Sequence, residues 1–66
     1  MMKNKRGKTV HERLNEEIEC AEKTSDKEHQ RLLALAAMGA VDFAIDFGLI
    51  TYTEWGTYIN RIVAIS

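Results

Sequence analysis

The chain has 66 residues, with nine basic and ten acidic side chains and a net charge of −1, which allows one domain and only a modest core. One cysteine and two histidines exclude an intramolecular disulfide and offer no zinc-ligand spacing, a usage that suits a reducing cytoplasm. The most apolar run, Leu32 to Val41, ends at Asp42 and Asp46, well short of a bilayer span, and the basic start passes into polar Thr9 and His11 rather than into the apolar stretch of a signal peptide.

Residues 1–8 read as a flexible, disordered arm with no apolar anchor. Lys3, Lys5, Arg6 and Lys8 give the first ten residues four of the nine basic groups and no acid, so the remaining chain carries five basic against ten acidic side chains. The arm is basic and the body acidic. Residues 9–66 read as one domain.

Thr9 followed by Glu12 has the spacing of a capping box, in which the threonine oxygen accepts from one free amide and the glutamate from another. A first helix is predicted near residues 10–24, with Val10, Leu14, Ile18 and Ala21 on one narrow stripe. Thr24, Ser25 and Asp26 interrupt it, because their side chains compete for backbone amides. Ser25 with Glu28 repeats the capping-box spacing.

The second helix is predicted near residues 26–47. Gly48 can take the left-handed conformation that stops it, and Leu49 is placed to fold back over its last turn. Thr51 and Glu54 supply a third capping box, with Ile50 and Trp55 at hydrophobic-staple positions. A third helix near residues 52–64 then carries Tyr52, Trp55, Ile59, Ile62 and Val63 on one face, and Gly56 inside it marks a close backbone approach. Period-two alternation and hairpin dipeptides are lacking, so the expected fold is all-α: a compact three-helix domain with a long central helix. Its expected core is Leu14, Ile18, Leu32, Leu33, Ala36, Phe43, Phe47, Trp55, Ile59 and Ile62.

Catalysis needs a nucleophile, an acid or base and a charge-holding group in one pocket, and the sequence supplies no such set. His11 and His29 sit at helix starts among charged neighbours, as solvated imidazoles do. Cys20 lies near Glu16, Glu17 and Glu19, which disfavour its thiolate. Asp42 and Asp46 share a helix face but lack the further acids or Glu-x-x-His motif of a bundle metal site. With Glu28 and Arg31 they form a solvated polar strip that can also ion-pair with a basic partner. The four glycines are isolated, so no phosphate loop is built. An enzyme, a cofactor and a small-molecule substrate are therefore not expected.

The apolar arc of the second helix covers about two thirds of its circumference, more than two short neighbours with narrow stripes can bury. The reading that follows is a non-enzymatic protein-interaction module in the cytoplasm. It binds another protein or a second copy of itself through Ala34, Met38, Val41 and Ile45, edged by Asp42 and Asp46. By analogy of size alone, such a chain is a small regulator, an adaptor or an inhibitor of the phage and mobile-element type. The alternative is a nucleic-acid-binding regulator that uses Lys3, Lys5, Arg6 and Lys8, although a helix exposing Asp42 and Asp46 repels phosphate.

Overall fold

A computed structural model describes residues 8–65; apart from Lys8, the basic arm lies outside the described residues. The order is α1 (Val10–Lys23), α2 (Lys27–Asp46) and α3 (Tyr52–Ile65), so the all-α expectation holds. Each boundary has a local cause. At the start of α1, Glu12 N donates to Thr9 Oγ1 at 3.1 Å and Thr9 N donates to Glu12 Oε1 at 2.9 Å, so the capping box forms as its spacing predicts. The third box also forms: Glu54 N donates to Thr51 Oγ1 at 3.2 Å and Thr51 N to Glu54 Oε1 at 2.8 Å. Ile50 is buried, and Trp55 packs against the same core cluster.

The second box does not form. Asp26, one residue beyond Ser25, is the N-cap of α2 and makes no side-chain cap bond, which moves Glu28 out of the reciprocating position. The α1–α2 turn is closed instead by Gln30 Nε2, which donates to Ala21 O at 2.9 Å, and by Thr24 Oγ1, which donates to Cys20 O at 2.7 Å. At the end of α2, Gly48 has φ +71°. Leu49 N bonds Ala44 O at 2.8 Å and Gly48 N bonds Ile45 O at 3.1 Å, the paired bonds of a Schellman ending. Leu49 stays about half exposed, and Ile50 supplies the buried side chain after the turn.

The core is small and rich in alanine: Leu14, Ile18 and Ala21 from α1; Ala34, Ala37, Val41 and Ala44 from α2; Ile50; and Tyr58 and Ile62 from α3. Leu14, Ile18 and Ile62 were expected there, and Leu33, Trp55 and Ile59 are half-buried. Four expected core residues are not. Leu32 is 66% exposed, Phe43 57% and Phe47 67%, and Ala36 is also on the surface.

The face expected to be free is the one the chain buries: Ala34 and Val41 are in the core, and Met38 and Ile45 pack against it. The reason is relief. The Ala34, Ala37, Val41 and Ala44 face is nearly flat, so α1 and α3 can approach closely, whereas phenylalanine rings would hold them apart and leave voids. Gly56 does not mark a close approach, because an added Cβ there meets nothing within 4 Å. On α3, Tyr58 rather than Tyr52 or Val63 turns inward.

Candidate protein-interaction surface

Two features stand out: a polar seam between α1 and α3, and the outer face of α2. The seam begins at His11, whose position one residue into α1 brings it opposite α3. Its Nδ1 shares a 2.6 Å hydrogen bond with Tyr58 Oη, and its Nε2 lies 3.5 Å from Glu54 Oε2. With the ring proton on Nε2, towards Glu54, Nδ1 accepts from the tyrosine hydroxyl. One turn further, Arg61 Nη1 donates to Asn15 Oδ1 at 2.6 Å, and Nη2 donates to Glu22 Oε1 at 3.3 Å.

The sequence pattern placed His11 in solvent, and Tyr58 was missed. Its signal is the spacing Trp55, Tyr58, Ile62, Ile65, a continuous stripe at three- and four-residue intervals. The hydrogen bond from the Thr51 backbone holds the Glu54 carboxyl below its ordinary value, helped by His11 and opposed by desolvation. Burial pushes the Tyr58 phenol up, with Glu54 adding to the effect. A phenol held neutral is no nucleophile, and Thr57 Oγ1 donates to Thr53 O. The seam is a latch that joins α1 to α3.

The outer face of α2 has a different character. Leu32, Leu35, Ala36, Gly39, Phe43 and Phe47 are all exposed and recur at helical spacing along about four turns. Phe43 and Phe47 stack on one another, with centroids 4.4 Å apart and planes 16° off parallel. The four large side chains together present roughly 500 Å² of apolar surface, within the range of the largest patch on a typical monomer.

One flank of this face is charged, with Glu28 and Arg31 towards the N-terminal end and Asp42 and Asp46 towards the C-terminal end, all exposed as the polar strip predicts. Asp42 Oδ1 accepts from Trp55 Nε1 at 2.9 Å, which ties the flank to α3. Of the residues proposed as an interface from sequence, Asp42 and Asp46 border this face, whereas Ala34, Met38, Val41 and Ile45 lie on the opposite side of α2.

Lys8 is exposed and paired with Glu16. Lys3, Lys5 and Arg6 lie outside the described residues, so the arm's nucleic-acid reading gains nothing from the fold. Cys20 and His29 are exposed, as their polar surroundings suggest. Among the described residues no three metal-ligating side chains come together, and no helix is long and apolar enough to cross a membrane. Comparison with family models, with curated proteins and with solved structures finds no match to this chain.

Proposed function

We propose that the chain is a non-enzymatic protein-interaction module that binds another protein chain through the outer face of α2. The observation that carries this reading is that Leu32, Leu35 and Phe43 of α2 and its C-cap residue Phe47 are each more than half exposed on one face. Apolar surface so displayed is stabilised when a second chain removes it from water. Its acidic flank favours a partner with basic groups at the contact edge and disfavours phosphate, so a protein is preferred to a nucleic acid. A small cytoplasmic regulator, adaptor or inhibitor acts in this way, by occupying a surface and not by chemistry.

The test is a comparison of the wild-type chain with Phe43→Ser/Phe47→Ser. Both positions are exposed, so the variant should keep its helicity. Association with itself or with a partner retained from native lysate should be lost. Retention of every partner by the variant would refute the assignment of this face.

A further inference from the structure

We propose that the outer face of α2 docks against the same face of a second copy of this chain, with the two α2 helices antiparallel. This rests on the interaction reading above and names its partner. The charge pattern carries it furthest. Arg31, with Glu28 one turn before it at the outer end, lies on the N-terminal half of the flank and Asp42 and Asp46 on the C-terminal half, and α2 has no basic residue in its last turn. Neither Arg31 nor Asp46 has an ion pair with any described residue.

In an antiparallel pair related by a twofold axis, each flank meets its own copy reversed in direction. With the axis between Ala36 and Gly39, Arg31 of one copy lies beside the Asp42 to Asp46 segment of the other, and symmetry makes the contact twice. Leu32 then faces Phe43 of the second copy, and Ala36 faces Gly39. In a parallel pair the twofold axis runs along the helices and turns the two charged flanks to opposite sides of the contact, so Arg31 meets neither Asp42 nor Asp46 of the second copy. Antiparallel packing also places the positive end of each helix dipole beside the negative end of the other.

Gly39 is the second observation. Glycine weakens a helix interior, and an added Cβ at Gly39 meets nothing within 4 Å in this chain, so the monomer's packing does not call for it. At the centre of the face, among Leu32, Ala36 and Phe43, it lets an outside helix come close. The area agrees: two faces of roughly 500 Å² remove about 1,000 Å² from water, the lower bound for a specific interface.

Sedimentation equilibrium of the full chain over a wide concentration range tests this, using four variants at exposed positions. Wild type should dimerise. Arg31→Glu and Asp46→Arg should each raise the dimer dissociation constant about tenfold, since each reverses a charge at both symmetric contacts. The combined swap Arg31→Glu/Asp46→Arg should return it to within about threefold of wild type. Gly39→Leu should weaken the dimer without lowering the melting temperature of the dilute chain.

A swap no tighter than its parents would overturn the antiparallel geometry. A wild-type chain that stays monomeric up to hundreds of micromolar would overturn the second copy as partner. In that event, a lysate protein lost on Phe43→Ser/Phe47→Ser still leaves the interaction reading standing, whereas no partner of either kind removes both.

Discussion

Truncating Val41 and Phe43 to alanine, one at a time, tests which way α2 is turned. Val41 is fully buried and Phe43 is 57% exposed, two positions apart on the same helix. Val41→Ala removes two buried methyl-sized groups at about 0.8 kcal/mol each, and the cavity term brings the loss to roughly 2–3 kcal/mol. Phe43→Ala loses less than half of its ring's burial and its stacking on Phe47, and gains the better helix propensity of alanine, so its net cost should stay under about 1 kcal/mol.

In a domain of this size these costs correspond to a melting-temperature drop of about 8–24 °C for Val41→Ala and no more than about 8 °C for Phe43→Ala. Thermal and urea unfolding followed by far-ultraviolet dichroism, at concentrations too low for association, give both numbers. Equal costs, or a larger one for Phe43→Ala, would mean that the phenylalanines are core and the packing described above is wrong.

Gly48→Ala should destabilise by about 1 kcal/mol, because residue 48 has φ +71°, whereas Gly39→Ala should stabilise the dilute chain by up to about 1 kcal/mol; urea midpoints compare them. The Glu54 carboxyl is held below its ordinary value, first by the Thr51 backbone bond. The folded state therefore binds fewer protons than the unfolded chain in the acid range, so its contribution is complete above the unfolded value of 4.5 and is lost as pH falls through the lower folded value. Melting temperatures between about pH 7 and pH 3 should show a shallower acid limb in Glu54→Gln. Tyr58→Phe leaves His11 Nδ1 without its partner and should cost about 1 kcal/mol, read by chemical denaturation.

The helix boundaries were legible because the chain writes them twice, in periodicity and in caps. Thr9 with Glu12, Thr51 with Glu54, and Gly48 each specify an end through bonds made within a few residues, and such local signals do not depend on the tertiary fold. The turn before α2 was not, because Ser25 and Asp26 are adjacent competitors for one N-cap. The rotation of α2 was misread for a related reason. An apolar arc over about two thirds of a helix fixes the polar strip, here Glu28, Arg31, Asp42 and Asp46, but not which part of the arc faces inward.

Hydrophobicity alone favours the Phe43 and Phe47 side, whereas packing favours the side on which helices can approach, the one bearing Ala34, Ala37, Val41 and Ala44. The arc was too wide for one chain to cover, as its breadth suggested, but the uncovered part is the bulky one. Tyr58 and Arg61 escaped because a polar end obscures a residue's place on an inward stripe, and their partners His11, Asn15 and Glu22 lie about 40 residues away in sequence.

The central claim, that the outer face of α2 is covered by another protein chain when the molecule works, is tested most directly by thiol accessibility. In a Cys20→Ser background, single cysteines at Ala36, on that face, and at Glu19, exposed on α1, are labelled in the dilute chain, in the concentrated chain and in native lysate. Both should react quickly when dilute. On concentration or in lysate the Ala36→Cys thiol should become protected by at least about tenfold while Glu19→Cys continues to react, because a docked helix excludes reagent from the contact alone. Equal labelling of the two thiols under all three conditions would contradict the account.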